Sequence, residues 1–380
     1  MTMKRLMLVC LMIPMLILSF AFADTPADHL GFMLLEQMYS DGQNLVFSPV
    51  SLSFSLGMAS EGAAGQTREE IQRLISLPSG DAAALITGLS AKGIRIANAA
   101  FAADDQPILD GWRNTVTGAY AGEIFPLGSQ EDIDSWVQQR TDGLLEHAPG
   151  NLTEDAKLVL LNAVTMEMDW RLPFSAEATH DAVFHSPAGD QTIAFMGQTY
   201  DWNTVYGERD GVQLLQLNYA DAHTGMVMLI ALPPEGKLPE LLSGLREEGL
   251  DYFSCMEVTN REIMLFLPKV DIMTHADLTE PLQAAGIRIA FTDVADFSGI
   301  SEKPLKINRV CQDARLRIDE EGTSAAAVTE IEMAPAEAEP LEEPVLMNVN
   351  HPFVVLIVDK ETNAVVFAAV ITDPVGTNAD

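Results

Sequence analysis

Three features of the sequence point to an α+β fold in one mixed domain: helical periodicity in the first half, short β-rich runs from Leu158 onward, and an apolar C-terminal hairpin. The chain opens on a segment of another kind. Lys4 and Arg5 form a basic start, Leu6 to Ala23 is almost wholly apolar, and Ala21-Phe22-Ala23 has the small-x-small pattern cut by signal peptidase ahead of Asp24. Residues 1–23 therefore read as a signal peptide, with export to the extracellular space as the consequence and residues 24–380 as the mature domain. A retained membrane anchor is the competing reading, because the apolar run is at the short end of what spans a bilayer. Pro26 to Tyr39, Ser51 to Glu61 and Thr67 to Ile75 then carry apolar residues at helical spacing, punctuated by Gly62 and Gly65. Strands are expected at Leu158 to Met168, Val212 to Tyr219, Gly225 to Leu232, Glu262 to Val270 and Arg315 to Asp319, with a helix around Leu278 to Ala285. Phe353 to Val358 and Val365 to Ile371, joined by Asp359 to Asn363, make the hairpin, and their uninterrupted apolar character implies burial on both faces.

Composition narrows the function. The 380 residues carry 55 Asp and Glu against 22 Lys and Arg, a net charge of −33, so nucleic acid and anionic membranes are not expected as partners. Removing residues 1–23 takes away Lys4 and Arg5 and no acid, which deepens the charge to −35. At 48% hydrophobic the chain has ample material for a core and is not disordered. Cys10 leaves with the signal peptide, and Cys255 and Cys311 are then available to pair in an oxidising compartment. There is no Gly-x-Ser-x-Gly elbow, His-Glu-x-x-His, Cys-x-x-Cys or phosphate-binding glycine loop, and the seven histidines are scattered. An enzyme, a metal site and a cofactor are all unexpected.

The most informative stretch follows Ile318-Asp319-Glu320-Glu321-Gly322. From Thr323, every second residue (Thr323, Ala325, Ala327, Thr329, Ile331, Met333) is small or apolar, while Glu330 and Glu332 fall on the other parity. That is the pattern of a strand with one buried face. An Ala-rich helix is the alternative on propensity. Beyond it, Ala334 to Pro344 is an acidic Pro/Ala segment with the composition of a solvated, protease-accessible tether.

This stretch resembles the hinge and reactive-centre loop of the serpins, the serine protease inhibitor family, in a secreted, prokaryotic-type member. Other motifs follow the family in order: Asn44 with Ser48-Pro49 and Ser51, Gly62-Ala63-Ala64-Gly65-Gln66-Thr67 with Ile71, and Asn162-Ala163-Val164 with Asp169-Trp170. Phe174, Thr179, Phe184 and Met196, then Phe291-Thr292 with Ala295 to Ile300, and His351-Pro352-Phe353 complete a likeness spanning residues 26–374. The resemblance implies the serpin fold, with helices around a large central β-sheet plus smaller sheets and an exposed loop over about 320–345. It also implies a bait-and-trap inhibitor that forms a covalent acyl complex with a serine protease and then inserts the cleaved loop into the sheet. Serpin loop insertion is itself an established instance of strand addition. A strand of about 14 residues, at roughly 3.3 Å each, would carry the tethered protease some 45 Å. The alternative within the family is a non-inhibitory carrier, chaperone or storage protein.

In the family's register the reactive bond is Ala336–Glu337, fourteen residues beyond Gly322, with Met333, Ala334 and Pro335 as flanking specificity residues. A small residue at Ala336 suits elastase-like or subtilisin-like proteases and offers a trypsin-like pocket nothing to pair with. Cleavage after Glu337 or Ala338 stays open. Glu320, Gly322, Thr323, Ala325, Ala326 and Ala327 form the expected hinge, with Gly322 supplying dihedral freedom. Ser51, Asn162, Trp170 and Lys269 match residues that control sheet opening, the last paired with Glu320. Gln312 replaces the usual histidine, keeping a donor and an acceptor but losing titration. Heparin is not expected as a partner, because Arg68, Arg73, Lys92 and Arg95 are interspersed with Glu69, Glu70 and Asp81. A monomer is expected.

Overall fold

A computed structural model describes residues 26–40, 42–75, 79–141, 143, 156–200, 204–220, 225–323 and 343–375. The first part contains α1 (Pro26–Met38), β1 (Leu45–Phe47), α2 (Pro49–Gly62), α3 (Gly65–Ile75) and α4 (Ser79–Ala91). Next come β2 (Ile94–Ala102), α5 (Asp110–Ala119), β3 (Glu123–Pro126) and α6 (Gln130–Arg140). Strands then dominate: β4 (Leu158–Met166), β5 (Met168–Asp169), β6 (His180–Ser186), β7 (Gly189–Tyr200), β8 (Thr204–Arg209), β9 (Val212–Asn218) and β10 (Met226–Leu232). After α7 (Leu238–Glu248) follow β11 (Glu257–Thr259), β12 (Ile263–Pro268), β13 (Val270–Asp277) and α8 (Thr279–Ala285). The chain closes with β14 (Arg309–Ile318), β15 (Gly322–Thr323), β16 (Val345–Asn348), β17 (Phe353–Asp359) and β18 (Ala364–Ile371).

The central sheet has the order β13-β14-β4-β2-β3, and a seven-stranded sheet runs β1-β18-β17-β10-β9-β8-β11. The hairpin β17–β18 lies inside the larger sheet and is buried on both faces, as its apolar run implies. In β4 the period of two separates two cores. Leu158, Leu160, Val164 and Met166 join the main core, whereas Val159, Leu161 and Ala163 meet Ile133, Trp136 and Val137 of α6. A capping box between Ser129 and Asp132 starts α6.

Helix α2 is not amphipathic. Apart from Glu61 all its residues are buried, so it runs through the interior, and its serines carry the polar contacts. Ser48 caps it, accepting from the Ser51 amide at 3.3 Å, with Pro49 at the first helical position. At the other end two sequence motifs prove to be one joint. Gly299 donates its amide to Gly62 O at 3.1 Å, Ala64 donates to Asp296 O at 2.9 Å, and Asp296 donates to Thr67 Oγ1 at 2.9 Å. A Cβ on Gly62 would lie 2.1 Å from Ile300 Cγ1, and Gly65 has a positive φ of 51°.

Three expectations change. The run Glu262 to Val270 is not one strand: Pro268 has no amide to continue a ladder, Lys269 N donates to Ala194 O, and β12 and β13 part into different sheets. The strand expected at Arg315 begins at Arg309. In the helical first half, Ile94–Ala102 is a central-sheet strand despite four alanines, because burial between β4 and β3 overrides helix propensity. Cys255 is exposed, Cys311 is buried, and no disulfide joins them. The signal segment lies outside the described residues.

Gly62→Ala should force an overpacked contact with Ile300 and Trp112. An expected loss of about 1–3 kcal/mol would be read as a lower urea midpoint at unchanged slope.

Candidate functional site

The site is the seam between β4 and β14, which run parallel in the middle of the central sheet. Asn162 and Gln312 are register partners there, and both point toward α2. Gln312 Nε2 donates to Asn162 Oδ1 at 2.7 Å and to Ser48 O at 3.1 Å, while its Oε1 accepts from Ser48 N at 2.6 Å. Asn162 Nδ2 donates to Ser51 Oγ at 2.5 Å and to Asn98 Oδ1 at 2.8 Å, and Ser55 Oγ donates to Asn98 Oδ1 at 3.1 Å. None of these residues is more than 1% exposed. The network joins three strands to one helix, uses only neutral groups, and makes no use of titration. Ser51, Asn162 and Gln312 thus come together as the sequence implied, whereas the parts played by Ser48, Ser55 and Asn98 were not read from it. An asparagine in an alanine-rich strand was the available signal for Asn98.

The ladder between β4 and β14 stops at the Val164–Ala314 pair, although β4 continues to Met166 and β14 to Ile318. At that unpaired end Glu320, Gly322 and Thr323 gather. Asp319 N donates to Gly322 O at 3.0 Å, and Asp319 Oδ1 accepts from Glu321 N and Gly322 N at 3.1 and 3.3 Å, so an Asp-Gly turn reverses the chain. Gly322 and Thr323 then pair with Asp169 and Met168. Packing adds a requirement for glycine at position 322. Its φ is not positive, but an added Cβ would lie 2.1 Å from Met168 O, so close backbone approach requires it.

Trp170 organises the same corner. Its indole N–H donates to Asp319 O at 2.9 Å, its backbone N–H to Glu321 O at 2.8 Å, and its ring stacks on Tyr219 at 4.8 Å and 12°. Tyr219 and Thr323 share a buried hydroxyl hydrogen bond of 2.8 Å. Lys269 Nζ lies 2.6 Å from Glu320 Oε2, and Thr179 Oγ1 donates to Glu320 Oε1 at 2.8 Å. Burial opposes ionisation of Glu320, but the Lys269 ammonium, a backbone amide and the Thr179 hydroxyl outweigh it and hold the carboxyl below its ordinary range. Thr179, Tyr219 and Asp319 had no assigned contact in the sequence reading. Ala325, Ala326, Ala327, Met333, Ala334, Pro335, Ala336 and Glu337 lie outside the described residues.

Among the described residues, no cluster of three or more His, Cys, Asp or Glu side chains is arranged to hold a metal. No helix among them is long and apolar enough to cross a membrane.

The family model described as Serpin (serine protease inhibitor) matches residues 26–374. An uncharacterized serpin-like protein of Thermococcus kodakarensis is 30% identical over 362 residues, covering 90% of this chain and 84% of the relative. Serpin A3-1 of Bos taurus is 29% identical over 368 residues, covering 90% and 87%. Human thyroxine-binding globulin superposes with a TM-score of 0.82 at 26% identity, over 92% of this chain and 98% of that one. Tengpin, a thermophilic serpin in its native state, shares the fold with a TM-score of 0.80 at 22% identity, over 92% and 93%.

Glu320→Lys would set two ammonium groups against each other beside the unpaired end of the seam. Premature opening is expected, seen on native gels as polymer after mild warming at which the wild-type protein stays monomeric. Reversing Lys269 to Glu in the same chain should restore part of the lost resistance.

Proposed function

The chain belongs to the serpin (serine protease inhibitor) family, and on that premise we propose that it is a suicide-substrate inhibitor of elastase-like or subtilisin-like serine proteases. The protease serine attacks the Ala336 carbonyl carbon. The Ala336–Glu337 amide breaks, an ester to the serine oxygen forms, and the departing Glu337 amine takes the proton. The stretch beginning at Thr323 then enters the seam between β4 and β14 and carries the acylated protease with it. Separation of the catalytic groups by even about 1 Å costs the deacylation step its geometry.

The observation that carries this reading is the position of Thr323, buried and laddered to Met168 at the end of the seam where β4 and β14 are no longer paired. Continuing the loop inward from there makes it antiparallel to both neighbours. One parallel ladder is replaced by two antiparallel ones, which are the more stable kind per residue. Register can be counted from either flank. Seven residues on from Gly322 is Thr329, seven back from its partner Asp169 is Asn162, and seven back from its turn partner Asp319 is Gln312. Both counts set Thr329 between Asn162 and Gln312, where its hydroxyl can donate to one amide and accept from the other. Ala325 and Ala327 fall between Met166 and Leu316 and between Val164 and Ala314, where small side chains enter with least displacement.

On this reading the protein acts outside the cell after loss of residues 1–23, as a monomeric domain of residues 24–380, without heparin. A carrier role is the second reading, favoured by the likeness to thyroxine-binding globulin. One experiment separates them: incubation with pancreatic elastase, subtilisin and trypsin, followed by SDS electrophoresis. SDS-resistant complexes with the first two and none with trypsin are expected, and mass spectrometry of the released C-terminal peptide should begin at Glu337. Cleavage without complex at every protease would sink the inhibitory reading. Thr329→Arg is expected to retain cleavage at the same bond but raise the stoichiometry of inhibition severalfold, because a guanidinium would have to enter the buried cluster.

A further inference from the structure

On the face of the central sheet opposite the Ser51–Asn162–Gln312 cluster lies a polar pair that the inhibitory cycle does not use. Asp313 follows Gln312 in β14 and so points the other way, to the side occupied by Cys311, Ala163 and α6. Its side chain is fully buried. Oδ1 lies 2.7 Å from Nδ1 of His275, its register partner on β13, while Oδ2 has no hydrogen-bond partner among the described residues. On its other flank Asp313 pairs with Ala163, so the carboxylate sits on the seam itself, one residue from the Gln312–Asn162 bond. Among the described residues, the titratable groups that act on it are His275 on β13 and Asp134 on α6; Cys311 and the Arg309–Asp277 and Arg315–Asp271 pairs lie further along the same face, and β4 contributes no charge. Burial pushes the Asp313 carboxyl up to about 6, His275 opposes the rise, and Asp134 adds to it.

We propose that Asp313, held by His275, is a pH-dependent strain in the β4–β14 seam: ionised, its unsatisfied oxygen favours opening, and protonated, it lets the seam stay shut. A buried carboxylate oxygen without a donor is a destabilising feature of the closed state. Parting β4 from β14 at Ala163 and Asp313 admits water to that oxygen and removes the penalty. The closed seam therefore binds a proton more readily than the open one. Its stability is gained as pH falls through about 6 toward the ordinary carboxylate value, and is lost again as pH rises through the same window. For a fully hydrated open state, closing is favoured about tenfold more at pH 5.0 than at pH 7.5. The inference bears on the proposed loop insertion, but its readout is opening of the seam alone. Its failure would leave the inhibitory reading standing, just as failure to form a protease complex would leave the pH effect intact.

The test is amide hydrogen exchange by mass spectrometry at pH 5.0 and 7.5, corrected for the intrinsic effect of pH on exchange, with peptides from β4 and β14 compared with the β17–β18 hairpin. Seam exchange should be about tenfold slower at pH 5.0 relative to the hairpin. Asp313→Asn should show the slow rate at both pH values. His275→Gln keeps the carboxylate but removes the ring that opposes its protonation, and should move the transition to higher pH. A seam whose exchange does not depend on pH relative to the hairpin would overturn the proposal. So would full pH dependence in Asp313→Asn, or an unmoved transition in His275→Gln.

Discussion

The hydrogen bond from Gln312 Nε2 to Asn162 Oδ1 is the constraint on which the central sheet depends. It crosses between two parallel strands that are separated by 150 residues in sequence, and it is tied through Ser48 and Ser51 to the buried helix α2. Each amide in it is satisfied on both its donor and acceptor sides by neighbours that are themselves fixed, so thermal opening leaves several buried groups without partners at once. Each such group costs about 1–3 kcal/mol. An apolar seam of the same size would lack this directionality, since apolar contact re-forms with any neighbour of suitable shape. The polar seam discriminates: only groups that supply matching donors and acceptors can replace the partners lost when it parts.

A second set of contacts gathers at the unpaired end of the seam. The Asp319–Gly322 turn reverses the chain, Trp170 holds the turn's carbonyls, and the Lys269–Glu320 pair with Thr179 fixes the outer edge. Gly322 approaches the Met168 carbonyl more closely than any side chain permits, which brings Thr323 against β5 and within a hydrogen bond of Tyr219. Behind the seam, the joint between Gly62–Thr67 and Asp296–Ile300 anchors the far end of α2, so the helix that carries the seam's serines is held at both ends. Departures from local preference collect here: an all-buried serine-rich helix, an alanine-rich strand, a half-satisfied buried carboxylate. Such concentrations mark where a fold has been shaped by function as well as by stability.

Much of the architecture was legible in the sequence. The helices expected in the sequence correspond to α1, α2, α3 and α8, apolar runs located β4, β9, β10 and the terminal hairpin, and the motifs brought Ser51, Asn162 and Gln312 into one group. The failures have physical causes. Alanine serves both helix and strand, so β2 took its identity from β3 and from β4, the latter more than fifty residues away. Continuous β-propensity across Lys269 concealed a strand that changes sheets, because propensity carries no information about which ladder a residue joins. The close approach that Gly322 makes to Met168 O was not read from the sequence, since a clash with a distant carbonyl leaves no trace in local sequence.

What the sequence by itself determined was grouping: the motifs brought Ser51, Asn162 and Gln312 together, although no strand was expected at Gln312. It also determined family, through motifs whose order and spacing along the chain suffice. What only the tertiary structure decided was adjacency. The Gln312–Asn162 bond, the solitary Asp313 oxygen, the lapse of the β4–β14 ladder beyond Val164 and the docking of Thr323 on Tyr219 all arise from pairing between segments far apart in the chain. Their registers are set by the packing of whole sheets against α2 and α6, and no local stretch of sequence contains that information.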